Sequence, residues 1–314
     1  MLTYCVLGGY KSKISTCEIR KVYDTQNMNN TTKHTFSGHE SFPCKTLWLK
    51  KGFDFVKECG NWNDADSVVK LGVGKNMVAS IRYWMRAFGL LDNDNLTDIA
   101  DYIFDSDKGK DPFVEDLGTL WLLHYLLVST GEASLYQLLF TRFQRERLTF
   151  ERDNVVAFVK RIMTEDGKLK IYNENTVKKD VGVLLQNYVL PQNAQSMEDY
   201  SSLLIDLDLI RLAADGKQYT FNVEGKRQLP LAILLFAISR EKGEDSSVDY
   251  DTLQTVGNMF CLNDMELITK LMDIQTRYPD LMRYSDTAGL RQVQFLKPIS
   301  PNEVLTFYYD DEEL

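Results

Sequence analysis

The stretch VVKLGVGKNMVASIRYWMRAFGLL, residues 68–91, decides the fold that the sequence predicts. From Lys75 onward it has the period of a helix, because apolar and basic side chains separate at about 100° per residue. The apolar side holds Met77, Ile81, Trp84, Met85 and Phe88, and the basic side holds Lys75, Arg82 and Arg86 with Ala79 and Tyr83 beside them. Gly72 ends a shorter helix that Asp64 or Asp66 can cap. A short helix, a tight turn and a longer helix predict a helix-turn-helix.

The Gly-Val-Gly-Lys segment in this stretch also suggests a phosphate-binding loop. A Walker loop has the pattern G-x-x-x-x-G-K-[ST], in which backbone amides wrap the phosphate and the hydroxyl binds magnesium. The first glycine position holds Val69 and the hydroxyl position holds Asn76. The third glycine of a dinucleotide fingerprint is replaced by Val78. These mismatches favour the turn between two helices.

The charge of the same stretch indicates contact with DNA. It has four basic side chains and no acidic one, in a chain whose formal net charge is -9. Phosphate contact requires such a local reversal of charge. The acidic balance of the whole chain limits any nucleic-acid site to a local basic patch. The predicted DNA-binding residues are Lys70, Lys75, Asn76, Arg82, Tyr83 and Arg86, with Asn76 and Tyr83 placed to reach bases. The alternative is a basic helix face that is merely solvated.

A second basic region lies in the middle of the chain. It comprises Lys160, Arg161, Lys168, Lys170, Lys178 and Lys179. This region is a further candidate for a DNA track, but the acidic residues among these bases dilute its field.

The order of elements recurs along the chain, although the residues do not repeat. Helical stretches at 153–163 and 175–188 precede a hairpin at Asp215-Gly216, which is a strong turn signal. A helix at 264–275 precedes another hairpin around Ala288-Gly289, which is a weaker instance. We therefore predict a mainly α fold with small β-hairpins, built from tandem winged-helix (helix-turn-helix) units.

The predicted domain boundaries follow from these units. They are an N-terminal extension at 1–33, an N-terminal winged-helix-like domain at 34–112, a buried helical connector at 113–147, a central winged-helix-like domain at 148–245, and a C-terminal helical and hairpin domain with an acidic tail at 246–314. The patternless start of the chain makes Met28 a candidate initiator. The longest apolar run, 117–128, is shorter than the about 20 residues that a bilayer needs, so a buried helix is expected.

Cysteine usage and the N-terminus point to the cytoplasm. Five cysteines without a C-x-x-C pair predict neither a disulfide framework nor a zinc ribbon. The first residues lack a basic segment before their short apolar run, so no export signal is expected. A reducing cytoplasm fits both observations.

The segment GHESF, residues 38–42, holds the best candidates for metal ligands. His39, Glu40 and Cys44 can all bind metal, but Pro43 stands where an H-E-x-x-H motif needs its second histidine. The structural interpretation is a turn in which Ser41 caps a helix and Glu40 ties the loop to a neighbouring unit. No G-x-S-x-G elbow is present, and His124 lies in an apolar segment typical of a core histidine. We expect a binding protein rather than an enzyme, with no metal and no cofactor.

Eight short motifs, taken in order, carry a resemblance to a known family. They are GHESF at 38–42, WLKKG at 48–52, LGVGKNMV at 71–78, SIRYW at 80–84, ED at 115–116, LWLLH at 120–124, KDV at 179–181 and DTAGLR at 286–291. Together they resemble the bacterial domain-of-unknown-function family 4007 over residues 34–298. The resemblance provides no catalytic residues to transfer.

The resemblance implies a DNA-facing accessory role. Members of that family lie beside genes resembling phosphoadenosine phosphosulfate reductases and cysteine desulfurases, in DNA phosphorothioation and phage-defence islands. The expectation is a cytoplasmic DNA-binding or adaptor subunit of a DNA sulfur-modification or defence system, with such enzymes as implied partners and no membrane. The alternatives are a scaffold that holds a sulfurtransferase-like enzyme without binding DNA, and a transcriptional regulator.

Overall fold

The computed structural model describes residues 34–191, 201–287 and 290–310. The predicted N-terminal extension, and the acidic tail beyond Asp310, lie outside the described residues. The described residues all belong to one compact unit. The division of the chain into domains therefore stays a prediction.

The N-terminal elements follow the predicted order of helix, turn and longer helix. They are α1 (Trp48–Lys57), α2 (Ser67–Leu71), α3 (Lys75–Ala87), β1 (Leu91–Asp92), β2 (Asn95–Leu96) and α4 (Asp98–Phe104). Helix α3 begins where the sequence predicted, and Gly72 ends α2 with a left-handed φ of 64°. The antiparallel pair β1 and β2 has only two residues in each strand.

The longest apolar run forms a buried helix, as predicted. Helix α5 (Leu117–Ser129) is buried from Gly118 to Val128. The carboxylate of Asp116 caps it by accepting hydrogen bonds from the amides of Gly118 and Thr119. The chain continues through α6 (Ser134–Leu138), a π-helical turn (Leu139–Phe143) and α7 (Gln144–Glu146). Among the described residues, no helix is both long and apolar enough to cross a membrane.

The middle of the chain contains both predicted helices and the predicted hairpin. Its elements are β3 (Thr149–Phe150), α8 (Arg152–Glu165), α9 (Glu174–Tyr188), β4 (Ile210–Leu212) and β5 (Tyr219–Phe221). The Asp215 carboxylate accepts hydrogen bonds from the amides of Lys217 and Gln218, which closes the hairpin turn. The three strands form an antiparallel sheet in the order β3-β5-β4.

The last part of the chain has the same order of elements, with a helix on either side. Its elements are α10 (Leu231–Lys242), β6 (Ser247–Asp249), α11 (Tyr250–Met259), α12 (Asp264–Arg277), β7 (Met282–Thr287), β8 (Leu290–Phe295) and α13 (Pro301–Tyr309). The sheet order is β6-β8-β7, so the first strand again pairs with the last. The fold is thus mainly helical with small antiparallel sheets, as predicted.

Candidate nucleic-acid interface

The turn between α2 and α3 lies open at the surface. The amides of Gly72 and Val73 donate to carbonyls in α2, at Val69 and Val68, and so close the helix end. Gly74 then takes an extended conformation and stands at the N-cap of α3 without a side-chain cap. A Cβ added at either glycine would meet nothing within 4 Å. The Gly-Val-Gly-Lys segment is therefore a helix connection with free space in front of it.

The inner face of α3 fixes this helix in the core. Ile81, Trp84 and Met85 are fully buried, as the periodicity predicted. The indole of Trp84 donates to the carbonyl of Phe42, 3.1 Å away. The hydroxyl of Ser80, also on α3, donates to the carbonyl of His39 at 3.0 Å. These bonds hold the helix against the loop that precedes α1, so its outer face has a defined position.

The outer face of α3 presents three of the predicted DNA-binding residues. Lys75, Asn76 and Arg86 are exposed, and within the described residues neither Lys75 nor Arg86 makes an ion pair. Ala79 lies between them and is exposed too. The structure therefore confirms an exposed basic stripe along this helix.

Arg82 and Lys70 have partners that the stretch itself does not reveal. Asp94, in the turn between β1 and β2, accepts two hydrogen bonds from the Arg82 guanidinium, of which the bond from Nε is 2.9 Å long. The hydrogen-bonded guanidinium lowers the pKa of Asp94, and Asp94 in turn raises the pKa of Arg82. Lys70 pairs with Asp66 one turn earlier, at 2.9 Å. Both charges therefore have an acidic partner within the chain.

Tyr83 is half-buried rather than free at the edge of the stripe. Its ring covers Gly38, where an added Cβ would lie 2.6 Å from Tyr83 Cδ2. It also meets the His39 ring edge-on, with 5.8 Å between centroids. Burial raises the pKa of its hydroxyl well above the usual range. The side chain that was expected to reach bases is therefore packed on the preceding loop.

The loop at residues 37–44 is tied to α9 through His39, not through Glu40 as predicted. His39 Nε2 donates to Asp180 Oδ1 at 2.9 Å, and both side chains are buried. The other carboxylate oxygen accepts from the Ser37 amide at 2.7 Å. Two turns further along α9, Asn187 accepts from the Cys44 amide. Glu40 is exposed, and its backbone is left-handed, with a φ of 48°.

The structure also corrects the predicted role of Ser41. Ser41 caps no helix, because α1 begins only at Trp48. The three candidate metal ligands have different surroundings, because the His39 ring is hydrogen-bonded to Asp180, Glu40 is exposed and Cys44 is fully buried. No group of three His, Cys, Asp or Glu side chains in the described part of the chain could hold a metal ion. Asp180 and Asn187, seven positions apart on the apolar face of α9, were the sequence signal for this docking.

His124 is a core histidine, as predicted. Its Nε2 donates to the carbonyl of Met259, and its Nδ1 accepts from the Tyr188 hydroxyl at 2.8 Å. Burial lowers the pKa of the ring to about 4. One side chain thus joins α5, α9 and α11, and it has no open side toward solvent.

Two of the six basic side chains of the second region, Arg161 and Lys178, form ion pairs among the described residues. Arg161 contacts Glu146 at 2.6 Å, and Lys178 contacts Glu174 at 2.7 Å. Lys160 and Lys179 are exposed. Acidic partners therefore dilute the field of this region, as its sequence suggested.

Comparisons with known proteins agree with this architecture. The chain is a mainly helical protein with small antiparallel sheets, and it carries a basic stripe on α3. The chain belongs to the family described as "Protein of unknown function (DUF4007)", which matches residues 36–309. No curated protein matches the chain.

Two solved structures are similar to the chain over most of its length. One is described as "SspB crystal structure", with 25% identity, a TM-score of 0.75 and coverage of 89% of each chain. The other is described as "Magnesium ion-bound SspB crystal structure", with 24% identity, the same TM-score of 0.75 and coverage of 89% of each chain.

Proposed function

We propose that this protein is a DNA-binding or adaptor subunit of a bacterial DNA sulfur-modification or phage-defence system, acting in the cytoplasm. The observation that carries the proposal is the outer face of α3, where Lys75 and Arg86 are exposed and unpaired among the described residues of an otherwise acidic chain. Membership of the family supports the choice of system, through the setting that the sequence resemblance implies. The structural likeness to SspB is consistent with it.

The stripe has dimensions that suit a DNA backbone. Lys75 and Arg86 are eleven positions apart, which corresponds to about 17 Å along a helix. The uncapped first turn of α3 adds free amides at the positive end of the helix dipole, where a phosphate is favoured. Asn76 lies in that same turn and is exposed, so its amide is available for a base edge.

We interpret the three groups of elements as winged-helix units. In the middle and at the end of the chain, a strand, two helices and two strands follow one another, and the first strand pairs with the last. At the N-terminus, α1 to α3 precede the short β1-β2 hairpin. In each group the second helix of the adjacent pair takes the recognition position, so α3, α9 and α12 are equivalent in this interpretation.

A salt series on a labelled duplex tests the proposal. Lys75→Ala/Arg86→Ala removes two phosphate contacts, so the slope of log K against log[salt] should become less steep by about 1.8. Lys108→Ala/Lys297→Ala removes two other exposed lysines and should leave the slope unchanged. Flat salt dependence of the wild type, or an equal change in both variants, would overturn the assignment. A duplex with backbone sulfur, run in parallel, tests whether the modification is sensed.

The proposal assigns a binding role and no reaction to this chain. Phosphoadenosine phosphosulfate reductase-like or cysteine desulfurase-like proteins are the proposed partners that supply the chemistry. The proposal that this chain carries out no reaction has its own test. The same duplex is incubated with the protein and magnesium, and its strands are then separated under denaturing conditions. Strands of unchanged length are expected, and shortened strands would contradict this part of the proposal alone.

A further inference from the structure

Helix α12 exposes an apolar face that the interior does not use. Met265 is 75% exposed and Met272 is 56% exposed, at positions seven apart on one side of the helix. Ile268 lies between them and is half-buried. The opposite side of the helix, with Leu267, Leu271 and Ile274, is the one buried in the core. We call the set Met265, Ile268, Thr269, Met272 and Thr276 the methionine face.

The two threonines make this face more apolar than their hydroxyls suggest. Thr269 donates to the carbonyl of Met265 at 2.8 Å, and Thr276 donates to the carbonyl of Met272 at 2.9 Å. Because each hydroxyl is turned back onto the helix, its methyl group is turned outward. The methionine face therefore offers thioethers and methyl groups, with no free polar atom along its centre.

The borders of the methionine face are acidic. Residues 264–280 contain four acidic and two basic side chains. Both basic groups are already occupied, because Lys270 donates to the carbonyl of Leu229 and the Arg277 guanidinium lies over the ring of Tyr278. Asp264 and Asp273 are exposed at opposite edges of the face and make no ion pair among the described residues. This charge pattern is the reverse of that on α3, and it disfavours nucleic acid.

A second copy of the chain is a poor occupant for a related reason. An antiparallel two-fold pair that set Met265 against Met272 of the copy would bring the Asp264 and Asp273 carboxylates of both chains to the borders of one apolar contact. Like charges gathered around one contact without basic partners are destabilising. The chain as a whole is acidic as well. The complementary surface is therefore apolar and bordered by basic side chains.

We infer that the methionine face is a docking site for a basic amphipathic helix of a partner protein. Methionine suits this task, because its flexible and polarisable side chain adapts to apolar partners. The partner's apolar side chains would pack between Met265 and Met272, and its lysines or arginines would face Asp264 and Asp273. The inference goes beyond the proposed function and does not depend on it, because α3 and α12 present separate faces of opposite charge.

The test uses the full chain and a labelled synthetic amphipathic helix of leucine and lysine as the probe. A twin peptide with glutamate in place of lysine controls for apolar contact alone. Met265→Ser/Met272→Ser should weaken binding of the leucine-lysine peptide at least about tenfold. Asp264→Asn/Asp273→Asn should weaken it several-fold and reduce its salt dependence. Ile171→Ser removes a side chain that is 66% exposed elsewhere and should leave binding unchanged.

A second readout locates the peptide without any substitution. Mild peroxide oxidises exposed methionines, and bound peptide should slow the oxidation of Met265 and Met272 but not of the half-buried Met77 on α3. Equal binding of the glutamate peptide, or equal weakening in Ile171→Ser, would overturn the inference. Protection of Met265 and Met272 by duplex DNA would overturn it too, as would a dimer of the wild type that the methionine variant lacks. Loss of DNA binding by α3 variants would leave this result untouched.

Discussion

Replacing Asp180 by asparagine removes one acceptor from the buried contact between the 37–44 loop and α9. Both oxygens of Asp180 are used, one by His39 Nε2 and the other by the Ser37 amide. Asparagine has nearly the same shape but offers one oxygen and one NH2 group. Its NH2 must then face a donor. His39 cannot respond by moving its proton to Nδ1, because the Ser41 amide already donates to that atom at 3.1 Å.

The magnitude follows from the burial of the pair. A hydrogen bond to a charged group contributes about 1.5–3 kcal/mol, and a buried donor left without an acceptor costs about 1–3 kcal/mol. The two effects overlap, so we expect Asp180→Asn to lower the free energy of unfolding by about 3 kcal/mol. The exposed Asp66, which pairs with Lys70 at the surface, provides the contrast. Asp66→Asn should leave the unfolding midpoint unchanged.

Urea unfolding of the wild type and the two variants measures this difference. A loss of less than about 1 kcal/mol in Asp180→Asn would refute the reasoning, because it would mean that the buried acceptor is not needed. A double-mutant cycle with His39→Ala separates the pair from its surroundings. The cost of Asp180→Asn should be much smaller in the His39→Ala background, since only the Ser37 amide then depends on the carboxylate.

Two further predictions concern backbone strain and acid stability. Gly38→Ala should destabilise the protein more than Gly72→Ala. Both positions have positive φ, but only at Gly38 does the added Cβ meet a neighbour, the Tyr83 ring at 2.6 Å. Equal shifts in the thermal midpoint of the two variants would contradict this prediction. His124, whose pKa is lowered to about 4 from 6.5, contributes stability that is fully present above pH 6.5 and is lost as the pH falls toward 4. The loss amounts to about 3 kcal/mol. Between pH 6.5 and 4 the urea midpoint of His124→Asn should therefore fall less steeply than that of the wild type. Equal slopes would refute the assignment of this acid sensitivity to His124.

The amino-acid sequence was sufficient for features set by neighbours along the chain. The faces of α3, the stop at Gly72, the buried α5 and the hairpin at Asp215-Gly216 all followed from local spacing and turn chemistry. The basic stripe was visible for the same reason. A helix has a fixed period, so residues a few positions apart share a face whatever surrounds them.

Only the tertiary structure decided which of those side chains are free. Arg82 is neutralised by Asp94 across the β1-β2 turn, and Tyr83 is covered by a loop that His39 fastens to α9 from 141 positions away. Pairings of this kind depend on how elements pack, and packing brings together residues that no local period relates. The methionine face of α12 is the converse case. Its apolar spacing predicts a core, and the spacing alone gives no sign that the opposite side of the helix is the one that the core uses.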